Sequence, residues 1–397
     1  MGLFSQTVRA RPRKAGVLPS QEIRELIRNG KIRSREEFSD DQIQPASIDL
    51  RLGDVAHRVR ASFLPSKNSL IGPRIRELQL EEIDLSQSAL LRPHSVYIVP
   101  LLESLELPPD MSGKANPKST TGRLDIFTRL MTESSETFEV VREGYSGDLY
   151  VEIVPRTFPI IVRAGTKLNQ LRFFRGNPQA DDEHLKRLAR KGQLVFDENG
   201  DDRLEPNIEG GLRLTVNLGG EKGDLVAYKA RRTGSPIDLA KVGAYEIAEF
   251  WEPLEGRTIE GGLVLDPGDF YLLGSKERVA VPPDHAAEME SYDPSIGEFT
   301  VHYAGFFDPG FGYGATGEIK GTKAVLEVRA HEVPIFLEDR QEVGRLMYHK
   351  MADRPDIVYG QDIGSSYQRQ GLALSKQFKK MPTTEPAANL HTAATPN

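Results

Sequence analysis

Leu91-Arg-Pro-His-Ser-Val-Tyr-Ile-Val99 is the stretch that decides the fold, because a version of it occurs twice in the chain. It returns as Leu265-Asp-Pro-Gly-Asp-Phe-Tyr-Leu-Leu273, offset by 174 residues. The Leu-Pro-Pro-Asp at 107–110 returns as Val-Pro-Pro-Asp at 281–284, with the same offset of 174. One long offset of this kind indicates a duplicated domain, because solenoid repeats are only about 20 to 50 residues long.

Two further matches extend the repeat. Val151-Glu-Ile153 corresponds to Leu326-Glu-Val328 at an offset of 175 residues. Two amphipathic stretches, 23–32 and 185–194, correspond at an offset of 162, and each ends near an Asn or Lys followed by Gly. Each copy is therefore expected to begin with a short helix.

The rest of each copy has the pattern of a β-barrel or β-sandwich. Short alternating stretches such as Ser47-Ile-Asp-Leu-Arg-Leu52 follow one another between Pro, Gly, Asn and Asp residues. We predict a mainly β chain with a first domain over 16–176 and a second over 177–376. The polar ends, 1–15 and 377–397, are expected to be disordered.

Composition excludes several classes of protein. Hydrophobic residues make up 38% of the chain and no apolar run approaches the roughly 20 residues of a membrane span, so no membrane association is expected. No apolar stretch of the signal-peptide type follows the basic N-terminus, which makes the cytoplasm the expected location. The net charge of −7 offers no overall attraction for nucleic acid.

The chain has no cysteine, which excludes thiolate nucleophiles and Cys-based zinc sites. The zinc-dependent nucleobase deaminases are excluded with them. The 8 histidines form no His-Glu-x-x-His motif, so a zinc hydrolase is not expected and no protein-bound metal is predicted.

A basic, hydroxyl-rich loop, Lys118-Ser-Thr-Thr-Gly-Arg123, is the candidate phosphate site. Its two cations and its hydroxyl groups suit a triphosphate, and its glycine permits close approach of the backbone. The groups in question belong to Lys118, Ser119, Thr120, Thr121 and Arg123. The alternative is a solvated turn. The second copy has Tyr292-Asp-Pro-Ser-Ile-Gly297 at this place, without a cation, and is not expected to bind phosphate there.

Two glutamates are candidates for a general base. Glu152 and Glu327 occupy corresponding positions in apolar strands of the two copies. Burial would raise the pKa of either carboxyl group and suit it to take a proton from water. A glutamate on a solvent-facing strand is the alternative for each, and the pattern alone does not separate them.

In this order, the motifs resemble those of dCTP deaminase, a branch of the trimeric dUTPase-like superfamily. The resemblance spans about residues 16–375 as two tandem copies and rests on Asn29-Gly30, Gln44-Pro-Ala-Ser-Ile-Asp-Leu-Arg-Leu-Gly53, the 118–123 loop, Asp308-Pro-Gly310, Val325-Leu-Glu327 and Ser366-Tyr-Gln-Arg-Gln-Gly371. It implies a distorted β-barrel fold, conversion of dCTP to dUTP and ammonia without zinc, Mg²⁺ bound through the substrate triphosphate, and a homo-oligomer.

The resemblance also implies roles for individual residues. Glu327 would be the base, assisted by Ser119 and Arg123, with Glu152 as second choice because the first copy has Arg142 where the second has Asp308. Besides the 118–123 loop, the implied substrate-binding residues are Ala304, Asp308, Val325, Tyr359 and Gln370. The family's lysine in the C-terminal arm is Ser366 here, which removes one implied triphosphate contact.

Alternatives remain open at this point. The superfamily also contains dUTPases and bifunctional enzymes that deaminate dCTP and hydrolyse dUTP, and a non-catalytic nucleotide-binding regulator would explain the altered loop of the second copy. The family's sites lie between subunits of a trimer. Whether the site of this chain forms within or between chains is left open.

Overall fold

Strands are the predominant regular secondary structure of the chain, as the alternating pattern predicts. The structure is a computed structural model that describes residues 14–380, except for 68, 193, 198–199, 201–203, 221–222, 257–260, 292–298, 303–304, 331, 361–366 and 369–370. No helix within these ranges is long and apolar enough to cross a membrane. The prediction of a mainly β fold is confirmed.

The first domain is built from short helices and three sheets. Its helices are α1 (Ser20–Arg28), α2 (Ile71–Leu78) and α3 (Ser119–Gly122), with a 3₁₀ helix at Asp40–Gln42. Its strands are β1 (Gly16–Val17), β2 (Ile32–Ser34), β3 (Ile48–Arg51), β4 (Val55–Val59), β5 (Gln79–Asp84), β6 (Ala89–Leu91), β7 (Val96–Glu106), β8 (Met111–Pro117), β9 (Ile126–Thr132), β10 (Val140–Val141), β11 (Ser146–Pro155), β12 (Ile160–Val162) and β13 (Lys167–Arg175).

The second domain follows the same plan. Its helices are α4 (Asp182–Arg190) and α5 (Ile247–Phe250). Its strands are β14 (Val195–Phe196), β15 (Leu212–Thr215), β16 (Leu225–Ala230), β17 (Ile237–Asp238), β18 (Trp251–Glu255), β19 (Gly262–Leu265), β20 (Phe270–Val279), β21 (His285–Ser291), β22 (Phe299–His302), β23 (Phe306–Phe307), β24 (Thr322–Ala330), β25 (Ile335–Glu338) and β26 (Glu342–Lys350). The predicted boundary at 176 lies in the connection between β13 and α4.

Strand order is the same in the two domains. The order β4-β7-β11-β9 in one sheet corresponds to β16-β20-β24-β22, and β3-β13-β8-β10 corresponds to β15-β26-β21-β23. The register agrees as well, since Glu152 pairs with Ile98 and Glu327 pairs with Leu272. The repeated segments of the sequence therefore occupy equivalent places, as a duplication predicts.

Aromatic residues of the second domain are buried in the first domain's core. Trp251 is fully buried and makes edge contacts with Phe158 of the first domain, at 5.7 Å, and with Phe378 near the C-terminus, at 6.0 Å. The sole tryptophan is thus a packing residue in a core that both domains share. Strand β17 strengthens this junction by pairing in parallel with β12.

The expectation of disorder from residue 377 onward is wrong for 377–380. Gln377 and Phe378 are only 2% and 3% exposed, and Phe378 packs against Tyr245, Phe250 and Trp251. Burying the Phe378 ring removes a large apolar area from water, and backbone hydrogen bonds between 377–379 and 244–245 add to the attachment. Residues 1–13 and 381–397 lie outside the described part of the chain.

Candidate active site

A cleft of about 640 Å³ lies between the two domains, and both contribute to its walls. The first domain supplies the 118–123 loop. The second domain supplies the 305–311 hairpin, strand β24 and a C-terminal segment that comprises 367–368 and 371–378. A cleft of this volume is in the range of small-molecule sites, about 300 to 1,000 Å³.

The 118–123 loop keeps its shape through Thr121. The Thr121 N–H donates to the Lys118 carbonyl at 2.8 Å, and the Thr121 hydroxyl donates to the Leu168 carbonyl at 2.9 Å. Both donors of this buried residue are therefore used within the protein. Ser119 and Thr120 are half-buried and line the cleft.

Lys118 forms an ion pair with Asp49 on β3, a residue of the 44–53 motif for which the sequence predicts no separate role. Asp49 is 2% exposed. Burial raises the pKa of Asp49, and the Lys118 ammonium group acts in the opposite direction. This pair fixes the first cation of the loop at the wall of the cleft.

Glu327 lies on β24 and reaches the loop at Gly122. A Cβ atom on residue 122 would stand 2.6 Å from Glu327 Oε1, so only glycine fits here unless the carboxyl group moves. The sequence predicts that Gly122 permits the approach of a ligand, whereas the group that approaches it in the structure is the second domain's carboxyl group. The loop and the candidate base therefore meet within one chain.

The Glu327 carboxyl group is nearly buried, with 6% of the residue exposed. Within the described part of the chain it has no ion pair and no hydrogen bond. Burial raises its pKa well above the ordinary value of 4.5, Arg123 acts to lower it, and Asp125 raises it further. A carboxylate in such surroundings takes up a proton more readily than one in water.

Arg123 connects the loop to the C-terminal segment. Its guanidinium group lies 3.7 Å from the centre of the Tyr367 ring, and its Nη1 donates to the Ala373 carbonyl at 2.8 Å. The residue is 3% exposed. Arg123 thus lines the cleft while holding the segment that covers one side of it.

Asp308 is held by an arginine that sequence reasoning missed. Arg172 on β13 of the first domain is fully buried, and its Nη2 lies 3.2 Å from Asp308 Oδ1. Its Nη1 donates to the Ala287 carbonyl at 3.0 Å, and the group stacks 3.9 Å from the centre of the Phe306 ring. Burial raises the pKa of Asp308, and Arg172 counteracts this. The sequence contains one signal for this role, since Arg172 is the charged residue within the apolar stretch Leu171-Arg-Phe-Phe174. An arginine buried among apolar neighbours needs an acidic partner.

Glu152 does not line the cleft. It is fully buried and forms an ion pair with Arg129, whose Nη2 is 2.5 Å from Glu152 Oε1. Arg129 stands opposite Glu152 on β9, whereas His302 occupies the corresponding place opposite Glu327 on β22. The first copy's glutamate is thus neutralised by an arginine, and the structure brings only the second copy's glutamate to the cleft.

A third contact between the domains lies beside Glu327. Arg329, two residues along β24, forms an ion pair with the buried Asp125 of the first domain. Arg329 also donates to Thr157 at 3.0 Å, and Thr157 donates to Asp125 at 2.6 Å. This network fixes β24 against the residues that follow the loop.

The remaining predicted residues divide into two groups. Val325 and Tyr359 line the cleft, and Tyr359 packs against Phe311 with the ring centres 5.6 Å apart. Ala304 and Gln370 lie outside the described residues, as do Ser366 and the altered loop of the second copy at 292–298.

Known proteins show which family has this arrangement. A family model for the N-terminal domain of 2′-deoxycytidine 5′-triphosphate deaminase matches residues 14–177, and the model for its C-terminal domain matches 181–378. A crystal structure of 2′-deoxycytidine 5′-triphosphate deaminase from Agrobacterium tumefaciens is 47% identical, with a TM-score of 0.80, and the match covers 87% of this chain and 100% of that one. The chain belongs to the dCTP deaminase family.

Other relatives in the dCTP deaminase family match less than half of this chain. The dCTP deaminase, dUMP-forming, of Parafrankia sp. is 32% identical over 169 residues, which are 42% of this chain and 79% of the relative. The dCTP deaminase of Halorubrum lacusprofundi is 28% identical over 139 residues, which are 34% of this chain and 64% of the relative. The prediction that the chain is an enzyme of the dCTP deaminase family with two such domains is confirmed.

Proposed function

We propose that this chain converts dCTP and water to dUTP and ammonia, with Glu327 as the general base. The observation that carries the proposal is the buried Glu327 carboxyl group, which contacts Gly122 of the other domain at the wall of a nucleotide-sized cleft. Burial raises its pKa, and a base of raised pKa is suited to hold a proton during the reaction.

The reaction replaces the amino group on C4 by oxygen and needs two proton transfers through one carboxylate. Glu327 takes a proton from a water molecule whose oxygen forms a bond to C4 of cytosine, and passes this proton to N3 of the ring. The tetrahedral carbon then carries both a hydroxyl group and the amino group. Glu327 takes the proton of that hydroxyl group and passes it to the amino group, the C4–N bond breaks, and ammonia leaves as the uracil carbonyl forms.

The nucleoside would be held by the second domain. Asp308, fixed by Arg172, has a carboxylate suited to accept a hydrogen bond from the 3′-hydroxyl of the deoxyribose. Val325 and Tyr359 supply apolar surface beside it. Ala304 and Gln370 keep their proposed roles from the family resemblance, reading the pyrimidine and closing the arm.

The triphosphate would enter as its Mg²⁺ complex and meet the 118–123 loop. Lys118, Ser119 and Thr120 line the cleft and have donors suited to phosphate oxygens. Thr121 and Arg123 were proposed as phosphate ligands as well. Their hydrogen bonds to Leu168 and Ala373 favour a supporting role, with Arg123 placing positive charge near Glu327.

A second candidate product is dUMP. The Parafrankia relative is named a dUMP-forming dCTP deaminase, so hydrolysis of dUTP to dUMP and pyrophosphate in the same cleft is the alternative to release of dUTP. Incubation with dCTP and Mg²⁺ followed by chromatography separates the outcomes. We expect dUTP and ammonia in equal amounts; dUMP with pyrophosphate would replace the first candidate by the second, and no turnover would favour a non-catalytic regulator.

The two glutamates provide the test of mechanism. Glu327→Gln keeps the shape of the side chain and removes the base, so kcat should fall by roughly 10² to 10⁴-fold while dCTP still binds. Glu152→Gln is the matched control in the other domain and should lower kcat far less. The opposite ranking would transfer the role of base to the first domain.

A further inference from the structure

We propose that Lys376 binds the β- and γ-phosphates of the nucleotide and so discriminates triphosphates from shorter forms. The proposal rests on the proposed function of the cleft and adds a residue to it. The family's lysine in the C-terminal arm is Ser366 in this chain, so the arm lacks that cation. Lys376 lies ten residues further on and lines the same cleft.

The backbone on both sides of Lys376 is fixed. Ser375 is 1% exposed, and its hydroxyl donates to the Thr120 carbonyl of the 118–123 loop at 2.9 Å. Gln377 is 2% exposed, and its Nε2 donates to the Leu239 carbonyl at 3.0 Å. The Lys376 carbonyl accepts from the Gly243 N–H at 2.9 Å. A lysine held between two anchored neighbours presents its ammonium group to the cleft at a small cost in backbone order.

The charged side chains around Lys376 have a net positive charge that favours binding of an anion. Lys118 is paired with Asp49, and Lys167 is paired with Asp41 at 2.7 Å. Lys376 is an exposed side chain that forms no ion pair with a carboxylate among the described residues. Burial lowers the pKa of Lys376, Lys118 and Lys167 lower it further, and Asp49 and Asp41 act in the opposite direction. Three ammonium groups that share one wall with two carboxylates carry a net positive charge, which a triphosphate would neutralise.

Lys376 also lies beside the part of the cleft where phosphate is proposed to bind. The 118–123 loop contacts the C-terminal segment through Ser375 and through Arg123, so Lys376 and the loop hydroxyl groups share one region. Glu327 and Asp308 lie along β24 and the 305–311 hairpin of the second domain. The cation is thus placed for the charged end of dCTP and not for its base.

Steady-state kinetics with dCTP, dCDP and dCMP would test the assignment. For Lys376→Gln we expect KM for dCTP to rise about tenfold, the effect of losing one charge-assisted hydrogen bond, with kcat changed less than about twofold. The preference for dCTP over dCMP should shrink by the same factor. Lys376→Arg should retain most of the affinity. Lys380→Gln, an exposed lysine of the same stretch that does not line the cleft, should behave as the unaltered protein.

Binding of inorganic tripolyphosphate, measured by calorimetry on the full chain, separates this proposal from the proposed function. If the protein turns over dCTP but Lys376→Gln binds tripolyphosphate and dCTP as tightly as the unaltered chain, the role of Lys376 is overturned and the deaminase assignment stands. If tripolyphosphate binding depends on Lys376 but no dCTP is turned over, the reaction is overturned and the anion site stands. A fall in kcat with unchanged KM would also contradict the phosphate contact, because it would place Lys376 in the chemical step.

Discussion

Glu152 and Glu327 occupy equivalent positions in the two domains but have different neighbours, and this difference suits Glu327 to catalysis. Glu152 has the half-buried Arg129 2.5 Å away, and this ion pair keeps the buried carboxyl group charged. Glu327 has no such partner among the described residues and stands beside a glycine of the other domain. A carboxyl group kept in this environment costs stability, which is a common property of residues retained for function.

Glu327→Gln should therefore make the protein more stable near neutral pH. The pKa of Glu327 in the folded chain is raised from 4.5, so the folded state binds an extra proton and loses stability as pH rises from 4.5 toward the folded pKa. The glutamine variant has no such loss. We expect its melting temperature to exceed that of the unaltered chain at pH 7 and to match it below pH 4.5. A constant difference across this range would contradict the raised pKa.

Gly122→Ala tests the contact that brings loop and base together. A Cβ atom here would stand 2.6 Å from Glu327 Oε1, so the carboxyl group or the loop has to shift. We expect kcat to fall at least tenfold, since a displacement of about 1 Å is enough to misplace a catalytic group. Gly72→Ala is the control, because a Cβ atom there meets only Arg76 Nη1 at 3.8 Å. Full activity of Gly122→Ala would show that the contact is not needed.

At the scale of elements, the sequence predicted strands and repeats well and local packing less well. The offset of 174 correctly predicted that β7 and β20 are equivalent, because strand pattern survives in both copies. The 118–123 loop was found, but Thr121 points into the protein, and no local pattern shows which hydroxyl of a Ser-Thr-Thr run faces a ligand. The prediction of disorder for 377–380 is wrong because it depends on the average polarity of the stretch, which a single aromatic residue, Phe378, changes little although it is buried.

Phe378→Ala measures how firmly the C-terminal segment is attached. The ring packs against Tyr245, Phe250 and Trp251, and replacing a buried phenylalanine by alanine typically costs about 3 to 5 kcal/mol. We expect a lower urea midpoint and, because Lys376 and Gln377 precede it, a higher KM for dCTP. Lys379→Ala, which removes an exposed ion pair with Glu246, should change the midpoint little. Equal midpoints for the two variants would mean that the segment is not anchored by this ring.

At the scale of the whole molecule, the arrangement of the two copies is what the sequence left open. An offset shows that two domains exist but not which face of one packs on which face of the other. Three contacts settle this within the chain: Gly122 with Glu327, Arg172 with Asp308, and Asp125 with Arg329. Each contact joins a residue of the first domain to a residue of the second. The two residues are far apart in the sequence, so no local sequence pattern predicts that they meet.

A mixing experiment distinguishes this arrangement from a site shared between chains. Arg123→Ala impairs the first domain's contribution, and Glu327→Gln impairs that of the second. Because both contributions come from the same chain, every site in a mixture of the two impaired variants should carry one defect. We expect no recovery of dCTP turnover after denaturation and refolding together. Recovery toward one quarter or more of the activity would show that loops and hairpins from different chains combine.

The shared core around Phe158, Trp251 and Phe378 has a consequence for how the enzyme behaves when it is scarce. When the two domains that form a cleft are covalently joined, each domain is held at a fixed, high effective concentration relative to the other. A cleft between separate subunits forms only when two molecules associate, which depends on their concentration. Turnover per molecule should therefore stay constant when the protein is diluted into the nanomolar range.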